Sequence, residues 1–173
     1  KTAYDMEHAG RAADEAEERG IRLAHQCHTQ SLFETVDETL EVLRGIGRKN
    51  FGLIYEPANL ELCGQEAAGA TIEALAPWIF NVYVQNQHLH PAAADHLTTW
   101  CRGDVRFDQI PLWDPKGLDF ETIVGDLAEV GYDGYVTVHQ ASAGLGGGAE
   151  AARRSAEFLR TMGPFEQRST TDG

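Results

Sequence analysis

The sequence predicts an α/β domain built on a parallel sheet, and three observations carry that prediction. Short apolar runs begin near residues 21, 51, 79 and 134, separated by segments rich in helix formers. The first two steps are each about 30 residues, the size of one strand–helix unit. Each apolar run also ends in polar side chains: Gln26 and His28, Glu56 and Asn59, Gln85 with Asn86, His88 and His90, and His139 with Gln140. Parallel strands joined by helical crossovers fit either a doubly wound sheet or a barrel. Both place functional groups at the carboxyl ends of the strands.

In order along the chain, residues 3–19 read as a helix stopped by Gly20, and "IRLAHQ" (21–26) as a strand. Ser31 followed by Glu34 has the spacing of a capping box, opening a helix over 31–46 in which Val36, Leu40, Leu43 and Ile46 recur at helical spacing. "FGLIYE" (51–56) is a second strand ending at Pro57, with a helix over 66–76 after it. "IFNVYVQ" (79–85), rich in β-branched and aromatic residues, is a third strand. Residues 119–131 form a helix closed by Gly131, "GYVTVHQ" (134–140) a fourth strand, and 148–163 a last helix. The third step is nearly twice the first two. It implies an insertion of about 86–118, read as an extended loop because Pro111 and mixed polarity disfavour a strand over 104–112. The organisation expected is one domain over 1–163 with a polar tail at 164–173.

Composition bounds the function. The 173 residues carry a net charge of −13, which argues against binding nucleic acid or an anionic membrane through bulk charge. No apolar run approaches the roughly 20 residues of a membrane helix. The three cysteines, Cys27, Cys63 and Cys101, are widely spaced and form no disulfide framework, which suggests a reducing, cytoplasmic compartment. "GLGGG" (144–148) has the composition of a phosphate-cradling loop, but no lysine follows it.

"GIRLAHQCH", "NFGLIYEPANL", "IFNVYVQN" and above all "IPLWDPKGLDFETIVGDLAEVGYDGYVTVHQ" resemble the xylose isomerase-like TIM barrels, a family of sugar-phosphate isomerases, epimerases and endonuclease IV-type proteins. The resemblance covers most of the chain. It implies a parallel (β/α)8 barrel of which these residues supply about the second half, the fifth to eighth strands, with an upstream half in cis or from another chain and a homo-oligomer left open. The family's divalent metal is held by Glu, Asp, His and Glu. The matching positions here are Gln26, Glu56, Tyr83 and His139, so three acidic ligands have become one.

The ligand set implied is Gln26, Glu56 and His139, for manganese, zinc, cobalt, iron or magnesium. The catalytic groups implied are Glu56 as base, with His139 and His28 as acid or electrophile. Asn59, Asn86, His88 and Trp113 are candidates for contacting substrate. The activity implied is that of an isomerase or epimerase, with a lyase also open, moving a proton next to the carbonyl of a sugar or related hydroxy-carbonyl compound. The alternative is a non-catalytic sugar-binding or scaffold relative that has lost the metal. Strand alternation points Gln26 into the mouth of the site and His25 away from it.

Overall fold

The computed structural model describes residues 2–139 and 146–163. Its centre is a four-stranded parallel sheet of β1 (Leu23–Gln26), β2 (Phe51–Tyr55), β3 (Ile79–Val84) and β7 (Val136–Val138), in that spatial order. Register pairs Gln26 with Ile54, Tyr55 with Val82, and Val84 with Val138, so the carboxyl ends of all four strands lie side by side. Phe51, Gly52, Leu53 and Tyr55 of β2 are buried, the mark of a strand covered on both faces. β1 and β7, on the outside of the sheet, are only partly buried.

Helices supply the covering layer. α1 (Thr2–Glu17) leads into β1 and is tied down by Asn50, whose buried amide donates to the Ala13 carbonyl at 2.6 Å and the Ile21 carbonyl at 3.3 Å. α2 (Val36–Ile46) buries Leu40, Val42, Leu43 and Ile46, and ends at Gly47, whose φ of 62° lets its N–H reach the Leu43 carbonyl. The cap of α2 is Thr35, which accepts from the Glu38 N–H; the expected Ser31–Glu34 box does not form. Ser31 instead donates to the His28 carbonyl, and Glu34 is used elsewhere. Between β2 and β3 lie α3 (Pro57–Leu62), α4 (Ala70–Leu75) and a 3-10 turn at Ala76–Trp78, where a single helix over 66–76 was expected. Pro57 starts α3 at its first turn, where a missing N–H costs nothing. α5 (Phe120–Glu129) and α6 (Gly148–Arg160) flank β7, α5 capped by Asp119 accepting from the Thr122 N–H.

The insertion is not an extended loop. It forms a second, antiparallel sheet of β4 (Asn86–Leu89), β5 (Asp95–Thr99) and β6 (Gly103–Ile110), ordered β4-β6-β5. Of these strands' residues only Asn86, Gln87, Thr99 and Phe107 are buried, so no clean apolar alternation announces them. Pro111 falls just beyond β6 and leaves its ladder intact. The base of the insertion is organised by Asn86, 1% exposed, which donates to the carbonyls of Pro111, Leu112 and Asp114 and accepts from the N–H groups of Gln87 and Leu118. A Cβ at Gly117 would run into that amide and lie 2.6 Å from the Gln87 carbonyl oxygen, so the turn needs glycine there.

The tip of the β5–β6 hairpin is held by Glu34, 1% exposed. Its carboxylate accepts from the N–H of Trp100 at 2.8 and 2.9 Å, of Cys101 at 2.9 Å, and of Gln30. Burial alone would raise the Glu34 carboxyl, but the N–H groups of Trp100, Gln30 and Cys101 outweigh it and hold the group below its ordinary value of 4.5. A depressed carboxyl contributes stability that is present above the ordinary value and is lost as pH falls through the depressed one. Glu34→Gln, which sets an amide N–H against backbone donors, is expected to cost about 1–3 kcal/mol near neutral pH. Urea melts of both proteins should diverge near neutrality and converge in acid; a gap that is constant with pH would contradict this role.

Candidate active site

Lateral register brings four strand ends together. Gln26 is the last residue of β1, Glu56 follows β2, Gln85 follows β3 and His139 follows β7. The ladders continue one step past the strands: the Cys27 N–H donates to the Ile54 carbonyl at 3.1 Å and the His139 N–H to the Val84 carbonyl at 2.9 Å. Glu56 occupies the N-cap position of α3 but makes no side-chain cap. Its carboxylate turns across the sheet end instead.

That carboxylate is fully buried and meets four donors. Oε2 accepts from the amides of Gln26 and Asn59, the latter at 2.8 Å. Oε1 accepts from the Gln85 amide at 2.7 Å and faces His139 Nδ1 at 3.3 Å. Asn59 reaches Glu56 from one turn along α3 and spends its other N–H on the Cys27 carbonyl at 2.9 Å. Transferring an unpaired carboxylate out of water costs several kcal/mol. Charge-assisted hydrogen bonds worth about 1.5–3 kcal/mol each offset that cost. His139 is the exposed member: its side chain is 51% accessible against 0% for Glu56, and its ring lies 5.0 Å from that of Tyr83. Opposite an anionic acceptor Nδ1 must be the donor, which leaves Nε2 as the lone-pair nitrogen.

The other sequence-derived candidates are distributed differently. His28 is exposed and its Nδ1 donates to the Thr29 carbonyl at 2.9 Å. His25 stacks on Phe33 at 4.1 Å and its Nδ1 donates to the Gln26 carbonyl at 2.8 Å; desolvation there lowers its imidazole from the ordinary value. Asn86 is committed to the base of the insertion. His88 lies ring to ring with His90 at 4.7 Å, and His90 pairs with Asp108 at 2.7 Å. Trp113 carries the Arg154 guanidinium over its face at 4.1 Å, so its ring is already in use as a cation platform. Gln140 lies outside the described residues, as does part of the glycine run at 144–148.

Gln85 is the member of the network that the sequence reading assigned no role. Its signal was position: like Glu56, it is the polar residue that directly follows an apolar strand. Cys27, beside the network, is no nucleophile, since burial pushes its thiol up to about 12.

The donor set does not fit a divalent ion at the centre of the four strand ends. A carboxylate offers about four acceptor positions, and Glu56 already meets four N–H donors. Gln26 and Gln85 present amide nitrogens to it, which donate protons and do not ligate metals. The Gln26, Glu56 and His139 set is therefore built as a hydrogen-bonded carboxylate cage.

Among the described residues no helix is long and apolar enough to cross a membrane. No curated protein matches the sequence. Solved structures do. The probable 3-DHS dehydratase AsbF of Bacillus anthracis is 16% identical over 90% of this chain, with a TM-score of 0.69. A xylose isomerase-like TIM barrel protein from Mycobacterium smegmatis, in complex with magnesium, is 14% identical over 93%, also at 0.69. An L-ribulose 3-epimerase is 16% identical over 93%, at 0.68. The matches cover 55%, 50% and 55% of those chains, so this chain spans about half the length of the structures it resembles. The family model for the xylose isomerase-like TIM barrel matches residues 4–162. With a parallel sheet of matching fold and a family match over nearly its whole length, the chain belongs to the xylose isomerase-like TIM barrel family.

Proposed function

We propose that this chain carries the proton-transfer site of an isomerase or epimerase acting on a sugar-like hydroxy-carbonyl compound. The observation that supports it is the pairing of a fully buried carboxylate, Glu56, with a half-exposed imidazole, His139. The sequence reading made Glu56 the base. Its complete burial argues for a different division of work: Glu56 orients and His139 meets substrate. Held through Nδ1, His139 turns Nε2 to the mouth as base. It takes the proton from the carbon next to a carbonyl, and the bonding pair moves into the carbon–carbon bond of an enediolate. Transfer of the proton by His139 to the neighbouring carbon completes isomerisation; epimerisation needs a second acid, on the opposite face, to donate a proton to the carbon that lost one, while His139 keeps the proton it took and later releases it to solvent. Expulsion of a hydroxyl from the next carbon would instead give the dehydration that the Bacillus anthracis relative's description names.

Substrate enters from the sheet's carboxyl end, where the inserted β4–β6 sheet adjoins the site. The four parallel strands fit the second half of an eight-stranded barrel. In this reading an upstream half, in cis or in trans, covers the partly exposed outer strands β1 and β7. A second reading is a sugar-binding relative without turnover. It is favoured by the single carboxylate where the family carries three acids.

Solvent-deuterium exchange at the carbon next to the carbonyl, followed by proton NMR across a panel of ketoses and hydroxy acids, separates the readings on the full-length protein. His139→Asn is expected to lower exchange at least about a hundredfold. Binding without exchange would favour the second reading, and exchange unaffected by His139→Asn would move the chemistry elsewhere. Glu56→Gln should lower kcat more than it changes KM. It should also cost stability, about 1–3 kcal/mol, because an amide cannot accept from four donors; a thermal melt identical to that of the unaltered protein would contradict the cage.

A further inference from the structure

A second convergence of chemistry-bearing side chains lies outside the Glu56 network and shares no residue with it. Cys63 ends α3 and is 3% exposed; Cys101 sits at the exposed tip of the β5–β6 hairpin; Glu34 occupies the turn before α2. One ligand atom from each of the three lies within 4.8 Å of the others. They come from separate parts of the chain, so their meeting is a product of the tertiary fold. Cys101 Sγ also lies 3.5 Å from the Cys63 carbonyl oxygen and 3.8 Å from Thr99 Oγ1.

Charge makes the grouping unusual. Burial first, then the neighbouring Cys101 and Glu34, push the Cys63 thiol far above its ordinary value. Three groups that become anions on losing a proton have been packed together, and among the described residues no Lys, Arg or His hydrogen bond or ion pair to Glu34 offsets them. The groups that meet the Glu34 carboxylate are backbone N–H dipoles, while the nearby Arg102 guanidinium is spent on the Glu61 and Leu62 carbonyls at the end of α3. Glu34 accepts three of these, with the Trp100 N–H shared between both oxygens. The Cys101 thiol meets the remaining one of the roughly four acceptor positions of the carboxylate, and that position is freed when the thiol gives up its proton to an ion.

We propose that Cys63, Cys101 and Glu34 form a site for a thiophilic divalent cation of the zinc and cadmium class. Two sulfurs and one carboxylate oxygen are three ligands of a tetrahedral set, and two thiolates select a borderline or soft ion over magnesium. Exposed Cys101 leaves the fourth position to water. Binding releases the two thiol protons to solvent and replaces them by the cation. The ion staples the tip of the inserted sheet to the end of α3 and the start of α2. It thereby fixes the sheet that borders the proposed active-site mouth.

Cadmium titration of the reduced, chelator-stripped full-length protein tests this, read by the thiolate-to-cadmium charge-transfer absorption in the ultraviolet. The expected result is a saturable band at a single equivalent that zinc displaces. Cys63→Ser and Cys101→Ser should each weaken cadmium binding at least about tenfold, whereas Cys27→Ser should retain the band. Cys101 is exposed, so its variant guards against misfolding of the buried one, and zinc should raise the melting temperature of the unaltered protein but not of Cys101→Ser. Absence of the band, a band that survives Cys101→Ser, or a band lost in Cys27→Ser would overturn the site.

Discussion

A carboxylate with no access to water sits where four parallel strands end, and the arrangement around it follows from that burial. Glu56 cannot be left unpaired at such a position without a penalty of several kcal/mol. The strands on either side, and α3 beneath, each contribute one N–H to it: Gln26 from β1, Gln85 after β3, His139 after β7 and Asn59 from α3. Because each donor belongs to a different element, the hydrogen bonds also lock the relative height of the strands. A slip of one residue in any strand would turn its donor to the opposite face. The same constraint gives His139 its orientation, and with it an exposed ring nitrogen backed by a buried anion.

A second buried carboxylate repeats this logic at the inserted sheet. Glu34 draws the hairpin tip onto the start of α2 through the backbone N–H groups of Trp100 and Cys101. The two acids divide the labour. Glu56 fixes strands within the parallel layer, and Glu34 fixes the insertion against that layer. The thiols of Cys63 and Cys101 are gathered at the second point.

The parts that local sequence could reveal are those in which pattern and burial agree. β2 and β3 are apolar and lie in the middle of the sheet, and the polar residue closing each strand marks its carboxyl end. Strand-end reasoning thus brought Gln26, Glu56 and His139 to one place without any distance in hand. Other features were hidden for definite reasons. Ser31–Glu34 and Thr35–Glu38 share one capping pattern four residues apart, and only the long-range demand of the hairpin for Glu34 decides between them. Pro57 reads as a strand terminator, although proline also opens helices, as it does for α3. The β4–β6 sheet lies on the surface with polar side chains on both faces, so hydrophobic periodicity is silent there. Asn86 and Trp113, read as substrate contacts, are held by backbone carbonyls and by Arg154, partners 25 to 41 residues away that no local window contains.

The central claim is that Glu56 holds the proton of His139 on Nδ1 and so presents Nε2 as the base. Long-range proton–nitrogen correlation NMR of the neutral imidazole reads the tautomer directly, in the full-length protein labelled with nitrogen-15 at histidine. The account predicts that His139 is protonated at Nδ1 and that Glu56→Ala, which removes the acceptor, releases it toward the Nε2-protonated form favoured by free imidazole side chains. An Nε2-protonated His139 in the unaltered protein would contradict it.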